Sequence, residues 1–299
     1  MYRTISPVGA DSRRLFLEGI HYRLMRSPGF VACLVAAASA GVLAQAASRQ
    51  QMPDARANWP CGGRVDPSYF HVAEGTGGHL FLLAPFEIAD STPLLLSIDR
   101  HPQTIFRLAG LITPGVHEFK VPVDGSVESV LFSISVQCLQ NAEILRPSGA
   151  PVAGGGVSDY SNFRAERMTI VERPETGTWT VRAGGTGIAG VMVQARSDVA
   201  LVSTEFAPPP GTTFQPMPAA GVENVVRLRI RGDVHDVQAS IVDGSFKTIV
   251  RLALAADEDG GVYLARFSPG AAGFRVAVTG RDAQGLPFQR VSAPLFTAR

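Results

Sequence analysis

The sequence predicts an all-β protein made of two β-sandwich domains. Three observations carry that reading. Short runs alternating between apolar and polar residues recur at a spacing of about 8–12 residues, with turn residues between them. The chain of 299 residues contains 31 glycines and 21 prolines but only 18% charged residues, a balance that favours many turns over long solvated helices. Pro208-Pro209-Pro210-Gly211 then divides the alternating runs into two sets. With 45% hydrophobic residues, both sets have enough apolar side chains to fill a core.

The N-terminal 1–46 reads as a leader. Phe30 to Ala44 is apolar but short for a membrane span, Ala44-Gln45-Ala46 offers an A-x-A cleavage site, and Arg23 and Arg26 supply the positive flank. Met25 is a second candidate start. A Sec route is favoured over twin-arginine export, because Glu18, His21 and Arg23 interrupt the stretch between Arg13-Arg14 and the apolar run. An uncleaved anchor is the third reading. Export places the protein in the periplasm or outside the cell, with no membrane span left after cleavage. In that oxidising setting Cys61 and Cys138 form either one disulfide or two buried thiols, and Cys33 leaves with the leader.

Residues 47–58 are polar and read as a linker. Residues 59–103 read as a short α/β segment. Asp66-Pro67 opens a helical turn that Gly75 or Gly77 ends, His79 to Leu83 is a strand, Pro85 to Ser91 is a loop or short helix, and Leu94 to Ile98 is a strand. The first sandwich is expected over 104–207. Ile105 to Leu108 and His117 to Val123 are strands separated by a turn at Thr113-Pro114-Gly115. Asp124-Gly125-Ser126 turns into a strand over Ser129 to Val136, followed by another over Ala142 to Leu145. Val152 to Ser161 is a flexible loop. A β-meander then closes the domain, with Gly184-Gly185-Thr186-Gly187 turning the chain between strands at Trp179 to Arg182 and Gly190 to Ala195, and a third strand at Val199 to Phe206. Residues 208–221 read as a Pro-rich linker. Residues 222–299 hold about seven more strands, which suits an immunoglobulin-like or fibronectin-like sandwich.

Chemistry-bearing motifs are scarce. The formal net charge is +1 and no basic run interleaves with aromatics, so nucleic acid is not an expected partner. His71, His79, His101, His117 and His235 have no metal-ligand spacing, and no G-x-S-x-G elbow occurs. Asp257, Glu258 and Asp259 form the densest acidic cluster and are the one candidate for calcium, although the ligand ladder of a calcium loop is incomplete and a solvated turn explains them as well. Arg231-Gly232-Asp233 reads as a turn. Trp179 reads as core packing. The ligand surface is expected at the glycine-rich loop, on Asp159, Tyr160, Asn162 and Arg164, which combine aromatic, amide and charged groups.

Three segments resemble a known family. HEFKVPVDGSVESVLFSIS, EILRPSG and VERPETGTWTVRAGGTGIAGVMVQARSDVALVSTEF are similar to a β-sandwich region of hemicentin-type extracellular proteins, where it directly follows a von Willebrand factor A domain. The tail FRVAVTGRDAQGLPFQRVSAPLF resembles the immunoglobulin-like segment that follows there, and YFHVAEGTGGHLFLL looks like the last helix and strand of an A domain, with its A-x-x-T-G-G turn. The resemblance implies a jelly-roll, galactose-binding-like first sandwich. Sugar binding does not follow from that fold label. No D-x-S-x-S motif is present, so the A domain's metal-dependent adhesion site is missing. The expectation is an exported, non-enzymatic binding or adhesion module for a protein or glycan partner in the cell envelope or outside the cell. The alternatives are a carbohydrate-targeting accessory domain or β-sandwich hydrolase, and a structural spacer.

Overall fold

The computed structural model describes residues 32–36, 66–160, 163–257 and 260–299. The expected linker 47–58, and the expected leader apart from 32–36, lie outside them. Ala32–Ala36 (β1) pairs antiparallel with His79–Leu83 (β2), from Ala32 opposite Leu83 to Ala36 opposite His79.

Pro67–Thr76 (α1) starts where Asp66 Oδ1 accepts the Ser68 N–H at 2.9 Å and proline occupies the first turn. It stops at Gly77, whose φ of 75° is the left-handed cap. After β2, a 3₁₀ turn at Pro85–Asp90 leads into Thr92–Asp99 (α2). A strand was expected over Leu94 to Ile98. Short apolar runs do not reveal their period, and here Leu94, Ser97 and Ile98 share a buried helical face while Leu96 is exposed.

The first sandwich is one five-stranded sheet folded over on itself. Its strands are Gln103–Val123 (β3), Val127–Leu145 (β4), Val157–Tyr160 (β5), Glu166–Glu172 (β6) and Gly177–Ser197 (β7), in the order β3-β7-β4-β6-β5. Phe106 and Phe119 belong to β3, and an extended chain would hold them ~40 Å apart. Their ring centroids are 5.5 Å apart. Phe132 lies opposite Val193 and Trp179 opposite Val121, in different halves of the sheet, and these rings meet at 5.3 Å. All three long strands therefore bend, at register shifts between Ile112 and Gly115 in β3 and between Val136 and Asn141 in β4, against Gly184 to Gly187 of β7. Thr113-Pro114-Gly115 and Gly184-Gly185-Thr186-Gly187 are thus bends inside continuous strands rather than turns between short ones. The core fills the fold, with Trp179 fully buried.

Ala200–Ala207 (β8) was expected to close this sandwich. It pairs instead with Asn224–Arg231 (β9). The second sandwich faces the sheet β12-β13-β9-β8 against the sheet β11-β10-β14-β15, with Val234–Val242 (β10), Thr248–Leu252 (β11), Ala255–Ala256 (β12), Val262–Phe267 (β13), Arg275–Asp282 (β14) and Pro287–Val291 (β15). Phe206 of β8 sits in its core among Phe267, Phe274 and Phe296. The expected linker at 208–221 is consequently a loop within this sandwich. It is tied down by the backbone pair Phe206–Gln215 and by Phe214 under the Arg227 guanidinium at 3.9 Å.

Two buried ion-pair networks bind the parts together. Glu74 of α1 accepts from Arg107 of β3 at 2.7 Å and from Arg275 of β14. Arg107 also donates to the carbonyls of Ala73, Gly77 and Gly78, so a cation caps the C-terminal end of α1. In the second network, Asp124 lies in the turn after β3 and pairs with Arg290 of β15 at 2.7 Å. Arg290 donates further to Val199 O and Ser197 Oγ.

Candidate functional site

The folded-over sheet leaves one side of the first sandwich open. Past the bend, β4 loses β6 as a neighbour, because β6 pairs only with Ser129 to Ser135. Between that half of β4 and the β5–β6 pair lies a groove of about 280 Å³. Asn141 to Ile144, Pro151 and Val152 line one wall, and Asp159, Arg167 and Thr169 the other.

Strand alternation explains the polar wall. Asp159 lies opposite Thr169 in the β5–β6 ladder, and Arg167 is two residues from Thr169, so all three share a face. Val157 and Val171 continue that face into the core. Polar side chains therefore rim the opening where the apolar filling ends. Arg167 joins the walls: its Nη1 donates to Ala142 O at 3.0 Å and its Nη2 to Asp159 Oδ2 at 3.1 Å. Thr169 Oγ1 donates to Asp159 Oδ1 at 3.1 Å. Arg167 Nε is buried with no hydrogen-bond partner. On the other wall, Glu143 accepts from Arg182 at 3.0 Å, so charge balances across the groove.

The residues expected as a ligand surface are not brought together. Of the three that are described, only Asp159 faces the groove. Tyr160, one residue on, turns to the opposite face and packs beneath the 66–101 segment with Phe163. Arg164 lies at the 3₁₀ turn, with its N–H on Glu87 Oε1 at 2.9 Å and its guanidinium 5.6 Å from the Phe86 ring centroid. Asn162 lies outside the described residues. A flexible loop had been expected here, but 157–160 is a strand, and a strand sends neighbouring side chains to opposite faces. Arg167, Thr169 and Glu143 were missed. The alternation of Arg167-Met168-Thr169-Ile170 carried a signal for the first two, but nothing in the sequence pointed to the wall they would face.

Of the acidic cluster, Glu258 and Asp259 lie outside the described residues, and Asp257 donates its N–H to Val262 O at 2.9 Å in the turn before β13. No group of three metal-ligating side chains occurs among the described residues. His71 is exposed on α1, whereas His79 is buried with Nε2 2.7 Å from Gln194 Oε1. Burial and the Arg107 charge push His79 down to about 3 despite that hydrogen bond. Arg231-Gly232-Asp233 is the turn between β9 and β10. Cys138 is disulfide-bonded, and its partner's side chain is not among those described.

A second polar layer lies on the outer face of β4. Ser133 and Ser135 point away from the core but are covered by the 66–101 segment. Ser135 donates to Leu80 O at 2.9 Å, and both serines contact the carboxyl of Glu166, which has no exposure. Burial raises the Glu166 carboxyl well above the usual carboxylate range, against the opposing hydrogen bond from Ser133.

No protein-family model matches the chain. Over 195 residues, 61% of the chain, it is 28% identical to hemicentin-1 of Mus musculus, and it is 27% identical to the Homo sapiens protein. It is 27% identical over 186 residues to von Willebrand factor A domain-containing protein 7 of Mus musculus. The matched part is 3% of the hemicentins and 20% of the A-domain protein, so the chain spans a small part of each relative. Among solved structures, a Bacillus licheniformis lipase in its propeptide form aligns with 64% of this chain and 40% of its own, at a TM-score of 0.30 and 13% identity, values that carry no inference about fold or activity. The hemicentin matches agree in part with the family resemblance read from the residues, and they point to extracellular, adhesion-type proteins. No helix among the described residues is long and apolar enough to cross a membrane.

Proposed function

We propose that the protein is an exported, non-enzymatic binding module of the cell exterior, and that the groove of the first sandwich is its contact site for a protein partner. The observation that supports this best is the groove's polar rim, where Arg167 links Asp159 to the Ala142 carbonyl across an opening of about 280 Å³. A plain spacer would have no need to keep such a mouth open. The partner is a protein rather than a glycan because no aromatic ring lines the groove among the described residues. Sugars are held mainly by aromatic faces, and Trp179, the obvious platform, is wholly buried. The second sandwich, locked by the Asp124–Arg290 pair, serves as a rigid mount.

The test is binding of the full chain to extracellular and envelope proteins and, in parallel, to a glycan array. Protein binding that is lost in the Asp159→Ala/Arg167→Ala double variant, with an unchanged melting temperature, is the expected result. Glycan binding that survives the double variant, or protein binding indifferent to it, would overturn the assignment.

A further inference from the structure

The groove has a property that its volume and charge do not express: one wall is an open strand edge. Ile144 O accepts the Val152 N–H, so the main-chain groups of Ile144 point away from β7. Main-chain groups in a strand alternate sides with period two, so those of Ala142 point the same way, into the groove. The Ala142 carbonyl meets only the tip of a side chain, Arg167 Nη1. Among the described residues no strand lies against its N–H.

Open edges are templates for another strand. From these groups we infer that the groove takes an extended peptide segment of the partner, added antiparallel or parallel to β4 at Ala142. This rests on the groove being the binding site. The guest's main chain would place a carbonyl on the Ala142 N–H and an N–H on the Ala142 carbonyl, displacing Arg167 Nη1. Arg167 is suited to give way. Its Nε is an orphan donor, which burial without a partner penalises. A movement that gives it an acceptor on the guest removes that cost. The balanced charge of the walls, Arg167 with Asp159 and Arg182 with Glu143, suits a neutral polar main chain better than a charged ligand. Alternate guest side chains would meet Pro151 and Val152 and supply what selectivity there is.

The test uses the full chain and a phage-displayed random heptapeptide library. Selected peptides are synthesised and their binding measured by fluorescence anisotropy. N-methylation along the peptide should weaken binding at least tenfold at the one amide that meets the Ala142 carbonyl and spare the amides on either side, and bound peptide should slow exchange of the Ala142 amide. Ala142→Pro removes an N–H that β7 does not use and should abolish binding. Because Ala142 is 7% exposed and its side chain packs in the core, the methylation series decides the matter if that variant is destabilised. Peptides whose binding depends on Arg167 but is indifferent to N-methylation would overturn strand addition and leave the groove as the binding site. Enrichment of no peptide that competes at the groove, while proteins still bind there through Arg167, would also overturn it. Loss of both kinds of binding would overturn the functional assignment itself.

Discussion

Glu74 shows how one side chain holds three parts of the chain. Burial alone would raise its pKa, but the charges of Arg107 and Arg275 outweigh burial and hold the carboxyl below its ordinary value. Arg275 is itself pushed down to about 10 by burial. Glu74→Gln would leave two buried guanidinium groups without a counter-charge and should cost about 3–5 kcal/mol in urea denaturation. Two other buried groups respond to pH in opposite directions. Glu166 is raised when folded, so its contribution is complete below the ordinary value of 4.5 and is lost as pH rises toward the folded value. Glu166→Gln removes the titrating carboxyl, so its effect on the melting temperature should become more favourable on going from pH 4 to pH 8. Equal effects at both pH values would contradict a raised Glu166 carboxyl. His79 is lowered, so its contribution is present above 6.5 and is lost as pH falls toward about 3. The sequence marked His79 and the serines as polar residues in strands. It could not show that they are buried, because their partners lie 115 residues away for His79 and 55 residues away for Ser135.

At the scale of elements, the decisive device is the bend. Gly185 has φ of 154°, and a Cβ there would run into the Cys138 carbonyl. Gly187 has φ of 100°, and its Cβ would come within 2.6 Å of Gln137 Oε1. Gly190, five residues along the same strand, has open space around it. Gly185→Ala should therefore cost about 2 kcal/mol or more, while Gly190→Ala should be neutral or slightly stabilising in the same denaturation experiment. Similar losses for both would mean that β7 is not bent at Gly185. The glycines were legible as breaks in the alternation. Whether a break reverses the chain or only creases it was not, since both need the same residues and differ only in what the neighbouring strands do. The 66–76 helix was legible because its signals are local: an Asp cap, a proline in the first turn and a glycine stop.

The two sandwiches are joined through shared buried charge. Arg290 and Asp124 are 1% and 0% exposed, and each is stranded if the sandwiches part. Gly125 N–H on Asp282 and Gln289 on Ile105 O add to the seam. Calorimetry should accordingly record a single cooperative unfolding transition. Arg290→Ala leaves Asp124 buried and unpaired, and should lower stability by about 3–5 kcal/mol and divide the transition in two. A single undivided transition in the variant would show that apolar contacts alone couple the sandwiches. The disulfide on Cys138 belongs to this scale as well. Peptide mapping of the protein without reduction should recover Cys138 joined to Cys61, and recovery of Cys138 joined to Cys33 would show that the stretch expected as a leader is retained.

The sequence by itself determined the class: alternation of period two, glycine and proline punctuation, two sets of strands, a buried tryptophan and a capped helix are all local consequences of backbone and side-chain chemistry. Tertiary structure alone decided which runs fused into long bent strands, that Ala200–Ala207 belongs to the second sandwich, and that Asp159 faces Arg167 while Tyr160 turns away. The physical reason is the same in each case. A strand cannot satisfy its own hydrogen bonds, so its length, its partner and the face it buries are set by chain that is distant in sequence.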